Sequence, residues 1–130
     1  MNRSKFRVWD GEFSRYVIGD FCISKDGILF EIMKRNGQVV LVETIEKDQY
    51  TVEHCIGKHD TKGVLIFEGD VVDGILVMGQ LFPPAAVIFY EGAASLDLVS
   101  DEYRPCFNEA GLDRLEIIGN VHENPCFITL

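Results

Sequence analysis

The sequence contains no run of about 18 apolar residues, the length a helix needs to span a bilayer. It has no C-x-x-C pair, and its three histidines do not complete a zinc spacing with Cys22, Cys55, Cys106 and Cys126. It has no phosphate-cradling glycine loop, and no serine stands in a nucleophile-elbow context. Basic residues are scarce: Lys plus Arg number 12 against 21 Asp plus Glu, a net charge of −9. Such a chain repels phosphate backbones at long range, which argues against nucleic-acid binding even though Arg3, Lys5 and Arg7 cluster. These absences leave no cofactor, metal or membrane to expect, and four free thiols packed as small hydrophobes. The basic opening, Met1 to Arg7, is not followed by the apolar stretch of a secretory signal, so the expected compartment is the cytoplasm.

What is present is an ordinary globular balance, 47% hydrophobic and 25% charged residues. The length of 130 residues fits one domain, or two small lobes sharing a core. The organising stretch is Gly63-Val-Leu-Ile-Phe-Glu-Gly-Asp-Val-Val72, two short β runs with Glu68-Gly69-Asp70 between them. Gly69 is the natural bend or bulge, because glycine alone takes positive φ at little steric cost. Asp70 beside it is placed to accept backbone amides across the turn.

Turn chemistry divides the remainder into strands. Phe6 to Trp9 is β-rich and ends at Asp10-Gly11. Tyr16–Ile18 and Phe21–Ile23 read as one strand interrupted at Gly19-Asp20. Asp26-Gly27 and Asn36-Gly37 are hairpin dipeptides, and they fold Phe21 to Ile45 into a three-stranded antiparallel meander. From Gln49 to Ile56 the period is two: Tyr50, Val52, His54 and Ile56 share one face, and Gln49, Thr51, Glu53 and Cys55 the other. Gly57 to Gly63 reads as a polar loop. Asp73-Gly74 leads into Ile75–Met78, and Gly79 to Pro84 reads as a loop because Pro83-Pro84 cannot sit in a central strand. Ala85–Tyr90 and Ala94–Val99 flank a turn at Glu91-Gly92. Asn108 to Gly111 holds at most one helical turn. Arg114–Ile118 is a last strand before Gly119-Asn120, and the apolar tail to Leu130 packs on the body. About ten short runs separated by turn signals predict an all-β fold with little helix. The expected form is an antiparallel meander lobe, 1–56, joined to an SH3-like small barrel, 57–130.

Few residues suggest chemistry. His54, His59, Asp60, Glu68 and Asp70 lie close in sequence and could make a carboxylate/His site. The structural readings are stronger: His54 as a half-buried strand residue, Asp60 and Gly63 as turn chemistry, Asp70 as an amide acceptor. Asn120, Glu123, Asn124 and Pro125 likewise read as a turn. Trp9 is either core or an exposed partner anchor.

Three blocks together resemble a known family. Lys5-Phe-Arg-Val-Trp-Asp10 is similar to the opening Phe-Arg-x-Trp-Asp of YopX-family proteins, small proteins of phages and prophages. Gln49-Tyr-Thr51, Lys58-His-Asp60, Gly63 and Ile66-Phe-Glu-Gly-Asp70 resemble that family's Gln-Tyr-Thr-Gly, Lys-x-Asp, Gly and Ile-Tyr-Glu-Gly-Asp. Leu115-Glu-Ile-Ile-Gly-Asn-Val-His-Glu-Asn-Pro125 resembles its closing Ile-Gly-Asn-Ile-Tyr-Glu-Asn-Pro. Two departures stand out. Val52-Glu-His-Cys55 precedes Ile56-Gly57 where the family passes directly from Thr to Gly, and Phe67 and His122 replace tyrosines. The resemblance implies one domain over 1–130, a mostly β fold with an SH3-like barrel in the second half, and a phage or prophage origin in a bacterial cytoplasm. It implies no activity. The reading that follows is a non-enzymatic accessory protein that binds a phage or host protein through exposed strand edges, with self-association as a further expectation. The alternatives are a small-barrel nucleic-acid binder or an enzyme using residues 54–70.

Overall fold

The alternation and turn signals above resolve into antiparallel β-structure in a computed structural model that describes residues 5–17, 19–44, 48–77, 79–98, 105–107 and 114–128. The strands are β1 Phe6–Asp10, β2 Arg15–Tyr16, β3 Phe21–Ile23, β4 Leu29–Arg35, β5 Gln38–Glu43 and β6 Tyr50–His59. They continue as β7 Leu65–Phe67, β8 Asp70–Asp73, β9 Ile75–Val77, β10 Gln80–Phe82, β11 Ala85–Tyr90, β12 Ala93–Asp97 and β13 Glu116–Asn120. Helix among the described residues is confined to the 3-10 turn Pro125–Phe127, so the fold is all-β as predicted. No helix among these residues is long and apolar enough to cross a membrane.

The chain divides into two units, Val8–Val52 and the combination of Met1–Arg7 with Glu53–Leu130. The boundary expected at 56/57 therefore falls at 52/53, inside β6, and the first residues of β1 belong with the second half of the chain.

Val8–Val52 contains the predicted meander, β3-β4-β5. Asn36 and Gly37 both take positive φ, 53° and 77°, the left-handed pair that a two-residue hairpin needs to match strand twist. Arg35 and Gln38 face each other across it. The segments expected to form one interrupted strand are separate: β2 pairs with β1, and β3 pairs with β4. Ile18, between them, lies outside the described residues. Trp9 is buried and packs edge-on against Tyr16, with ring centroids 4.9 Å apart. Its aromatic surface serves packing, so the exposed-anchor reading gives way to the core one.

The other unit curls its sheets around one core as a half-barrel. Ile56, Ile66, Val72, Ile75, Val87 and Leu96 are among its buried members, drawn from six strands. β8 runs in the middle of the sheet β12-β11-β8-β13, and Asp70, Val71 and Val72 are all buried. Residues 105–107 bond to β12 through Leu96 N–H to Pro105 O and Phe107 N–H to Ala94 O.

Three sequence expectations fail here. Gln80–Phe82 is a strand paired with β9, because Pro83-Pro84 follows the hairpin instead of interrupting it. Gly57, Lys58 and His59 continue β6 instead of opening a loop. Between the pairs Cys55↔Phe67 and His59↔Leu65, β6 advances further than β7, and Gly57 at φ 80° takes up the extra length as a bulge. The expected polarity of β6 also fails: Glu53 is buried, and His54, expected half-buried, is exposed. A strand carboxylate faces inward when partners meet it there. The helical turn expected at 108–111 lies outside the described residues.

Candidate functional site

The strand ends around Gly69 converge on one ionic cluster. Gly69 has φ 90°, as its place in the turn requires. A Cβ added there would sit 2.7 Å from Cδ of Glu53, so the glycine also makes room for a buried carboxylate. Glu53 is 3% exposed. Its Oε1 accepts Nε–H of Arg7 at 2.8 Å, and its Oε2 lies 2.7 Å from Nε2 of His122. The same guanidinium reaches Oδ1 of Asp70 at 2.8 Å, donates to the carbonyl of Glu68 at 3.3 Å and lies over the Phe67 ring. Oδ2 of Asp70 accepts the backbone N–H of Phe67 at 2.8 Å, closing the turn as expected. Burial pushes the Asp70 carboxyl above its ordinary value, and the Phe67 amide and Arg7 offset only part of that.

Asp60 does related work one loop away. Its Oδ1 accepts the N–H groups of Lys62 and Val64, both at 2.9 Å, and its Oδ2 accepts that of Ile117 at 3.1 Å. Gly63 completes the loop at φ 81°, donating its N–H to the Asp60 carbonyl. Partial desolvation pushes the Asp60 carboxyl up, but the three amides together with Lys62 outweigh it and hold it below the ordinary value.

At the closing turn, Oδ1 of Asn120 accepts the N–H groups of His122 and Glu123, and its Nδ2 donates to Glu123 Oε1. Oδ1 of Asn124 accepts the N–H of Asn120 at 3.3 Å, and Pro125 starts the 3-10 turn. The Gly69 carbonyl accepts the N–H of Val121, which fastens this turn to the cluster.

The His/carboxylate candidates are thus divided among different tasks. Asp70 is in the cluster; Asp60 is a loop staple. Glu68 contributes a backbone carbonyl to Arg7, and its side chain lies 3.5 Å from the His54 N–H. His54 packs its ring on Phe6, and His59 is exposed. Arg7, Glu53 and His122 were not foreseen as a site. No described buried side-chain N or O atom lacks a hydrogen-bond partner, and no described group of three His, Cys, Asp or Glu residues could hold a metal ion.

Two hollows lie elsewhere on this unit. Ile56, Phe107 and Phe89 line a hollow of about 580 Å³, with Ala93, His54 and Lys58 on its walls. A second hollow of about 390 Å³ shares Cys55, Ile56 and Lys58 and adds Lys5 and His59. The bulge at Gly57 places neighbouring residues of β6 along both.

A family model described as YopX protein matches residues 5–129. The chain belongs to the YopX family. Its fold is similar to that of yopX from Bacillus subtilis, with TM-score 0.67 and 20% identity over 99% of this chain and 100% of that one. It is also similar to protein EF1440 from Enterococcus faecalis, with TM-score 0.60 and 22% identity over 96% and 97% of the two chains. Comparison with curated protein sequences gave no match. The three YopX-like blocks each supply one member of the cluster: Arg7 from the first, Asp70 from the second and His122 from the third.

Proposed function

We propose that this YopX-family chain is a non-enzymatic protein-binding module, an accessory protein of phage or prophage working in the bacterial cytoplasm. The observation that supports binding over catalysis is how the polar groups are used. The buried carboxylates Glu53 and Asp70 are engaged by Arg7, His122 and a backbone amide, and the motif turns are held by their own side chains. The larger hollow is mainly apolar. Its one adjacent Cys/His pair, His54 and Cys55, sits on consecutive strand residues, which point to opposite faces. Cys55 Sγ accepts the N–H of Gly57, and the His54 ring leans on Phe6. A nucleophile and base aimed at one reacting atom would need the opposite arrangement.

The test is capture from a bacterial host lysate on the immobilised chain, followed by titration of the purified pair. A saturable complex of fixed stoichiometry is expected. Stoichiometric metal in the purified protein, or failure to retain any protein partner, would overturn the reading.

A further inference from the structure

The chain carries 21 acidic residues against 12 basic ones, yet among the described residues no Asp or Glu lines either hollow on the half-barrel. Among the described residues, the charged and titratable ones there are Lys5, Lys58, His54 and His59, with Cys55 and Cys106 beside them. All four are exposed. Neither lysine has an ion-pair partner among the described residues. The larger hollow has an apolar floor beside Lys58: Ile56 is 9% and Phe107 7% exposed, while Phe89 is 43% exposed on the wall. The larger hollow, about 580 Å³, is within the range of about 300–1,000 Å³ typical of small-molecule sites. That is room for one or two large side chains.

We infer that this groove takes an acidic peptide segment carrying a large apolar anchor. The inference rests on the protein-binding reading above and adds the partner's chemistry. The anchor fills the hollow over Ile56 and Phe107, where burying a large apolar side chain is the main source of affinity. Acidic residues flanking it meet Lys58 and Lys5. An acidic ligand is repelled by most of this protein's surface, so the local positive strip selects where it lands. A polynucleotide fits less well, because two lysines beside an apolar hollow neutralise few phosphates.

The probe is a short fluorescein-labelled peptide of Asp and Glu around a central Phe, titrated by anisotropy. Controls are the same peptide with Ser for its acids, the same peptide with Gly for Phe, and labelled polyuridine. Two variants accompany them: Lys58→Glu, which reverses the rim charge, and Ala93→Trp, which fills the hollow from the start of β12. Each control peptide and each variant should bind at least about tenfold more weakly, and added salt should weaken the acidic peptide. Lys58→Glu should keep the parent melting temperature, so it remains informative if Ala93→Trp does not fold. Equal binding of the serine peptide, stronger binding of polyuridine, or no effect of Lys58→Glu would overturn the inference. If a captured protein partner binds both folded variants as well as the parent, the groove inference fails while the protein-binding reading stands. If no protein is captured at all, that reading fails.

Discussion

Nε2 of His122 lies 2.7 Å from Oε2 of Glu53, across 69 positions of sequence. Both residues stand where this chain departs from the YopX pattern, His122 in place of a tyrosine and Glu53 within the stretch Val52-Glu-His-Cys55. The two departures meet, and each accounts for the other: a carboxylate buried to 3% exposure needs partners, and Arg7 Nε occupies only one of its oxygens. A double-mutant cycle on Glu53→Gln and His122→Ala should give a coupling energy of about 0.5–3 kcal/mol in urea denaturation. Additive effects would show that the contact contributes nothing.

Gly69→Val should destabilise the fold by roughly 1–3 kcal/mol through backbone strain, because a β-branched residue strongly resists positive φ. The collision with Glu53 adds to this. Gly27→Ala is the comparison. Gly27 has φ 82° but nothing within 4 Å of an added Cβ. Its loss should be smaller, and equal losses would remove the steric role assigned to Glu53.

Two carboxyls should give pH slopes of opposite sign. Asp60 is held below its ordinary value in the folded chain, so the unfolded chain takes up its proton first as pH falls. The stability that Asp60 contributes is complete above its unfolded pKa of about 3.9 and is lost as pH falls from there through the folded value. Asp70 is raised in the folded chain, so the folded state takes up that proton first, and stability is gained as pH falls through the folded value toward about 3.9. Urea melts across the acid range should show the parent's advantage over Asp60→Asn shrinking as pH drops. The difference between the parent and Asp70→Asn should move in the parent's favour. Matching slopes would contradict this.

Strand β5 should drive concentration-dependent self-association. It lies at one edge of the sheet β3-β4-β5, and Val39 and Leu41 are 63% and 54% exposed. No Lys or Pro interrupts Gln38–Glu43, so the strand lacks the usual protection of an edge. Light scattering should report masses above the monomer that fall with Leu41→Lys. A monomer mass at every concentration would exclude it.

The elements legible in the sequence were those fixed by local chemistry. Asn36-Gly37, Asp26-Gly27 and Gly69 each demanded positive φ within one or two residues, and each turn is where that demand placed it. What was not legible depended on distant partners. The two-residue period put Glu53 on the more polar face with Gln49 and Thr51, and nothing near it in sequence announced Arg7 or His122. The extension of β6 to His59 was hidden because Gly57 and Lys58 read as loop residues, whereas a bulge keeps such residues inside a strand. The groove followed from that bulge and was equally invisible. A carboxylate in mid-strand, with an Arg in the first family block and a His in the last, is the signal that could have suggested the cluster.

Asp70→Ala and Lys58→Glu, compared in parallel by thermal melting and by titration with the labelled acidic peptide, separate fold from recognition. Asp70→Ala should lower the melting temperature, at a cost of about 1–3 kcal/mol for the amide and guanidinium left without their partner. Below the transition, its folded fraction should bind the peptide normally. Lys58→Glu, an exposed change, should leave stability within about 0.5 kcal/mol of the parent and lose the peptide. The reverse result, with Asp70→Ala melting unchanged but unable to bind and Lys58→Glu binding as the parent does, would make the Glu68-Gly69-Asp70 turn the recognition surface and contradict the structural role assigned to it here.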